Sequence, residues 1–372
     1  MEISVDPKYF DYAASTPVWP AALEAFMEIS KNQYANPSSI HMHGKTAKLK
    51  LLELKKTFCD MLQFHDGRLL LCASGSEANN TIIEGHLNTF SNGKLLIAED
   101  AHDSIWYASK KHQKSIKILK IANDGQINKK ELERSLEKQI SLVCVNHVCN
   151  ETGTIHPVKE LAEICFIKKV RILVDGMQAI GHIPVNLNEI PCTYYSISGH
   201  KFGSVKATGG VLIRDSEFDP LIHGGKQEWN LRAGTEGIAG LASMTAALRE
   251  SIDKMESEAK RIKTLKNHMI SRLKHIPDVL FNSPENSIPG ILSVSFPGYT
   301  GREIVGALSL AGYAISTGSA CHANEIEPSR IILAMGRSAS GAKGAVRISM
   351  GIGTTEKAVN DLIDTLLDFV MK

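Results

Sequence analysis

The tetrapeptide Ser198-Gly199-His200-Lys201 begins on the last residue of a β-type run at 193–198, and Asp175 closes another at 171–175, 26 residues before the lysine. A lysine beside a crevice loses its proton when partly desolvated and forms an imine with an aldehyde; a plain surface charge is the other reading. Asp175 follows Ile172-Leu173-Val174, a poorly solvated place where an unpaired carboxylate is costly. It requires a cation, either a structural Arg or Lys or a protonated ring nitrogen. Ala73-Ser74-Gly75-Ser76-Glu77 opens a helical stretch. The N–H groups of such a start can hold a phosphate, or Ser74 or Ser76 can simply cap the helix. His102 and Asn150 follow two further runs, and a flat imidazole suits the face of an aromatic ring. Arg347, after Ala345-Val346, has the planar fork that pairs with a carboxylate, or it forms a partly buried ion pair. As a set, these residues suit a phosphorylated aldehyde cofactor with a basic ring nitrogen.

These side chains need a scaffold that brings strand ends together. Short aliphatic or β-branched runs at 68–73, 94–99, 116–121, 141–147, 171–175, 193–198 and 210–214 alternate with amphipathic, Lys- and Glu-rich stretches. That rhythm predicts an α/β fold with a mostly parallel seven-stranded sheet, in which ligands bind beyond the carboxyl ends of the strands. From Leu241 to Leu273 apolar residues recur every three or four positions, predicting one helix of about nine turns that bridges two domains. Beyond it the alternation resumes at 291–296, 301–311, 313–316 and 345–350, with a last helix from Thr355. We expect a large cofactor-binding domain at 15–250 and a smaller C-terminal α/β domain at 251–372 joined by residues 1–14.

Composition narrows the function. The 372 residues carry 42 Lys and Arg against 40 Asp and Glu, a formal net charge of +2, without the basic excess of a nucleic-acid-binding surface. The N-terminus has no signal-peptide pattern and no apolar run reaches membrane-span length, so a cytoplasmic location is expected. The seven cysteines are odd in number and scattered, which fits a reducing compartment. Cys144, Cys149 and His147 invite a metal reading, but period-two alternation puts Cys144 and His147 on opposite strand faces; His41 and His43 fare no better, and no metal site is expected.

Phe10-Asp11-Tyr12-Ala13-Ala14-Ser15-Thr16-Pro17, Asn36-Pro37-Ser38-Ser39, Asn150-Glu151-Thr152-Gly153, Asp175-Gly176-Met177-Gln178, Ser198-Gly199-His200-Lys201, Arg232-Ala233-Gly234-Thr235 and Ser316-Thr317-Gly318-Ser319-Ala320-Cys321 occur in this order over nearly the whole chain. The set resembles the cysteine desulfurases of the group I branch, pyridoxal-phosphate (PLP) enzymes of the class V aminotransferase family with fold type I.

The resemblance implies that Lys201 binds PLP as an imine, Asp175 pairs with the pyridinium nitrogen, Gln178 bonds the ring hydroxyl, and His102 stacks on the ring and takes part in proton transfer. It assigns the phosphate to Gly75, Ser76, Ser198 and His200, with Thr235 serving the neighbouring subunit of a homodimer. Asn150, in contact with the cofactor, and Arg347 then bind the substrate carboxylate. Cys321 is the nucleophile that takes sulfur from L-cysteine, leaving L-alanine and a persulfide for a protein acceptor in iron–sulfur cluster assembly, tRNA thiolation or another pathway. An aminotransferase, a selenocysteine lyase or a non-catalytic scaffold of the same fold are the alternatives. Ser76 stands where the family more often has threonine, Thr317 where it has serine, and His322-Ala323-Asn324-Glu325 departs from its usual small, hydroxyl-rich stretch.

Overall fold

The computed structural model describes residues 5–112, 116–318 and 328–371, and the secondary-structure elements are those of the described residues. The aliphatic runs form strands β1 (Arg68–Cys72), β2 (Lys94–Ala98), β3 (Ile116–Leu119), β4 (Ile140–Asn146), β5 (Arg171–Asp175), β6 (Tyr194–Ser198) and β7 (Gly209–Ile213). They pair in the order β1-β7-β6-β5-β4-β2-β3. β7 lies antiparallel to both β1 and β6, and the pairs among β2 to β6 are parallel. The carboxyl ends of six strands therefore share one edge, as the sequence rhythm implied.

Helices cover both faces: α1 (Pro20–Asn32), α2 (Met42–Met61), α3 (Gly75–Thr89), α4 (Asp103–Lys110), α5 (Lys129–Ser135), α6 (Val158–Ile167) and α7 (Ile238–Leu273). Strand alternation decides what each face receives. Ile172 and Val174 of β5 pack into the core containing α2 and α6, whereas Leu173 enters the core built with Ala78, Ile82 and Ile83 of α3 and Ile105 of α4. Asp175, in phase with Leu173, is delivered to the face covered by α3 and α4.

The long helix α7 has 36 residues, about 54 Å at 1.5 Å per residue, and continues through residue 250. Its Leu241, Met244 and Leu248 belong to the large core, and its Ile262, Leu265, Met269 and Leu273 to a second one. That second core lines a sheet of β8 (Leu280–Phe281), β9 (Ile291–Ser295) and β10 (Ala345–Ser349), packed with α8 (Gly301–Leu310) and α11 (Glu356–Val370); the short helices α9 (Arg330–Ala334) and α10 (Ala339–Lys343) lie between α8 and β10 in sequence. The strand expected at 313–316 does not form. Ala314 exchanges backbone bonds with the N-terminal segment and Ser316 with Arg347 of β10, so two different partners each take one residue and no continuous ladder develops.

The N-terminal segment ties this second sheet to the large one. Ser349 N–H donates to the Phe10 carbonyl, and Thr16 N–H to that of His200. At the centre of the edge, Gly176 has to be glycine: a Cβ there would stand 1.9 Å from the ring of Tyr195, itself fully buried. Gly176→Ala is expected to lower the urea midpoint by the equivalent of about 1–3 kcal/mol, as overpacking does, and an unchanged midpoint would contradict this packing.

Candidate active site

The polar residues that follow the strands converge on one cavity of about 220 Å³. Its walls include Gly75 and Ser76 after β1, His102 after β2, Asn150 after β4, Asp175 and Gln178 at and after β5, Ser198 at the end of β6 and His200 and Lys201 beyond it, and Arg347 from β10. Every site residue expected on the sequence thus lies on this cavity except two. Thr235 lines a separate cavity with Arg232 and Glu236, and Cys321 lies outside the described residues.

Asp175 is 5% exposed. Its Oδ2 accepts from the Asn79 amide at 2.9 Å and its Oδ1 from the Met177 N–H at 3.1 Å. Register sets Asn146 and Ser196 on either side of it. Behind it, the Tyr195 hydroxyl and His147 Nδ1 lie 2.7 Å apart, and the His147 N–H donates to the Asp175 carbonyl.

Lys201 ends a short 3-10 turn, Gly199–Lys201. Its ammonium donates to the Ala13 carbonyl at 2.7 Å and the Ala14 carbonyl at 2.9 Å, and Gln178 Nε2 donates to the same Ala13 carbonyl. The amine is thereby aimed along the cavity wall by carbonyls from the N-terminal segment, a contribution nothing in the local sequence of Lys201 announced.

Ser74 caps α3 by accepting from the Glu77 N–H, as the plain reading of that motif held. The first turn of α3 still faces the cavity through Gly75 and Ser76. A Cβ on Gly75 would sit 2.2 Å from the Met177 side chain and 3.2 Å from Ser198 Cβ, so glycine here keeps the backbone close to the cavity. His102 caps α4, its Nδ1 accepting from the Ser104 N–H at 3.1 Å. Burial pushes its pKa down, against the attraction of Asp175 and Asp103.

Arg347 is 2% exposed. It donates to the Asn150 carbonyl at 2.8 Å and pairs with Asp11 at 2.9 Å, so the ion-pair reading describes what the residue does on the wall of the cavity. Its Nε is buried without a hydrogen-bond partner among the described residues. His147, weighed as a metal ligand, is instead tied to Tyr195.

The donor set fits PLP. A buried carboxylate held by neutral donors suits a protonated ring nitrogen, a helix start kept open by glycine suits a phosphate, and a lysine amine shares the cavity. Asn79, Ser104, Asn146 and the carbonyls of Ala13 and Ala14 were not foreseen. Asn79 did carry a signal, being an asparagine inside a helix, where that residue competes poorly unless its side chain is engaged elsewhere.

Fold and cavity define a class: the chain belongs to the aminotransferase class-V family, whose model matches residues 8–362, a PLP-dependent family. Within it, the chain falls among the IscS-like cysteine desulfurases. It is 34% identical to "Cysteine desulfurase IscS" of Dictyoglomus turgidum, across 98% of this chain and 94% of that protein. A solved structure of a NifS-like protein superposes with a TM-score of 0.90 at 28% identity, covering 98% of this chain and 100% of that one. Another, described as SspA in complex with cysteine, gives 0.79 at 26% identity over 92% and 98%.

Burial leaves three histidines neutral in the fold, with pKa values of about 4 for His86 and His200 and about 3 for His147. Each takes up a proton on unfolding once the pH is below about 6.5, so the unfolded state binds more protons there and stability falls with the pH. The stabilisation is complete above about pH 6.5 and is lost progressively toward pH 4. The urea midpoint at pH 5 is expected to lie below that at pH 7, with a shallower difference for His147→Gln. Equal midpoints for the wild type would contradict it.

Proposed function

We propose that the chain is a PLP-dependent cysteine desulfurase that converts L-cysteine to L-alanine and carries the sulfur as a persulfide on Cys321. The observation that carries the reading is the convergence of Lys201, Asp175, His102 and the α3 start on one cavity in a chain 34% identical over nearly its whole length to a cysteine desulfurase. When bound, PLP supplies an aldehyde that condenses with amines and a protonated ring that accepts the electrons released at Cα.

The chain's own residues supply the rest. Lys201 would hold the cofactor through its amine, and that amine, steered by the Ala13 and Ala14 carbonyls, would take and return the Cα proton. Asp175 would keep the ring nitrogen protonated, Gln178 would bond the ring hydroxyl, and His102 would stack on the ring. Gly75, Ser76, Ser198 and His200 hold the phosphate. Arg347 and Asn150 receive the substrate carboxylate, a role supported by the unpartnered Arg347 Nε.

In the net reaction the carbon–sulfur bond of cysteine breaks with its electron pair left on carbon, which is protonated to alanine. The sulfur bonds to the Cys321 thiolate, and a second thiol later releases it. Thr235, set apart from this cavity with Arg232, completes the phosphate site of a second copy in a homodimer, and a protein is the sulfur acceptor. Six described cysteines are free and buried, and burial raises the pKa of Cys59, Cys144, Cys149, Cys165 and Cys192. As inert thiols they suit a reducing cytoplasm and leave sulfur chemistry to Cys321. No helix among the described residues is long and apolar enough to cross a membrane.

The deciding experiment incubates the PLP-loaded protein with L-cysteine and dithiothreitol and scores alanine and sulfide together. Equal amounts of both are expected, and Cys321→Ala should lose sulfide release while keeping the cofactor absorbance. An aminotransferase would be unaffected by that substitution and would yield no sulfide. Arg347→Lys, which loses the fork, should raise KM for L-cysteine about tenfold or more, the value of a charge-assisted hydrogen bond. An unchanged KM would remove Arg347 from the substrate site.

A further inference from the structure

Asp175 can only accept hydrogen bonds when ionised, so the group of Asn79 that meets it at 2.9 Å is the amide NH₂. That same nitrogen lies 2.9 Å from Ser104 Oγ. Its second hydrogen is therefore donated to the serine, and the serine hydroxyl directs its own hydrogen to the next acceptor, His102 Nδ1, at 2.8 Å. The backbone N–H of Ser104 reaches the same Nδ1 at 3.1 Å, and a backbone N–H cannot reverse its direction. Nδ1 is thus an acceptor from two donors. A neutral imidazole in that position carries its proton on Nε2, and an imidazolium would set an N–H at Nδ1 against the Ser104 N–H.

We propose that Asn79 and Ser104 are positioning residues that lock His102 as a neutral, Nε2-protonated imidazole, so that Nε2 is the nitrogen that presents a proton to the cavity. One buried amide, 0% exposed, thereby orients both the Asp175 carboxylate and, through the serine, the His102 imidazole. The inference rests on the reading of the cavity as a PLP site, but the tautomer itself is a property of the chain. The charged groups facing His102 are Asp175 of β5, Asp103 of α4, Lys201 beyond β6 and Arg347 of β10; the two carboxylates favour protonation and the two cations oppose it. Burial and the two donors at Nδ1 favour the neutral ring.

The test is long-range 1H–15N NMR of histidine-labelled protein, without and with PLP, from pH 5 to 9, the His102 signals being assigned by their loss in His102→Gln. In the wild type Nε2 should carry the proton and Nδ1 none at pH 7 and above, with the protonation midpoint below the ordinary value of about 6.5. Asn79→Ala releases the serine hydroxyl, and Ser104→Ala removes it. Each should raise the protonation midpoint of His102 by about one pH unit, a tenfold shift in the equilibrium, while Ser104→Thr keeps the wild-type spectrum. Ser104→Ala deletes one hydroxyl in the first turn of α4 and carries the test if Asn79→Ala does not fold. A proton on Nδ1 in the wild type, or one midpoint shared by wild type and both alanine variants, overturns the proposal. Because the spectra are read without turnover, loss of the desulfurase reading would leave this result standing, and the converse holds as well.

Discussion

A carboxylate buried at the end of a central strand is the constraint around which this molecule is organised. Asp175 is placed by β-strand alternation on the face that α3 and α4 cover, and removing such a charge from water is costly unless donors replace the lost hydration. The structure meets that cost with neutral groups: the Asn79 amide and the Met177 N–H. The arrangement leaves the negative charge available to a cationic ring at the cavity, which is what a pyridine-based cofactor needs from its protein. The strands flanking β5, the glycine that follows it and the Tyr195–His147 pair behind it all serve to keep this one side chain in place.

The second constraint is that the cavity belongs to no single core. Strand ends of the large sheet supply its floor, β10 of the small sheet supplies Arg347, and the N-terminal segment runs between them. Phe10 is buried in the small core, while a few residues later Ala13 and Ala14 accept from Lys201. Helix α7 packs into both cores. A shift of one core against the other would therefore move the arginine relative to the lysine, and the N-terminal carbonyls with it.

Much of this was legible in the chain. The alternation of aliphatic and amphipathic stretches yielded the strands to within a residue or two, because both periodicities reflect burial on a defined face. Asp175, Lys201, Gly75, Ser76, His102 and Asn150 could be found since each follows a strand whose direction the crossovers determine. The strand expected at 313–316 failed because its apolar look reports burial, and burial is satisfied there by single bridges to two partners. Asn79, Ser104 and the carbonyls of Ala13 and Ala14 are contributions of three-dimensional proximity, separated from their partners by up to 188 positions; a backbone carbonyl leaves no mark in a sequence at all. Cys321 is the opposite case, assigned from its sequence context and lying outside the described residues.

The central claim is that the Lys201 amine is the point at which this protein holds an aldehyde cofactor. Borohydride reduction of the PLP-loaded protein, followed by proteolysis and mass spectrometry, tests it most directly. The account predicts a single phosphopyridoxyl group per chain on the peptide containing Lys201, and none in Lys201→Ala. A label on another lysine, or no reducible adduct in the wild type, would contradict it.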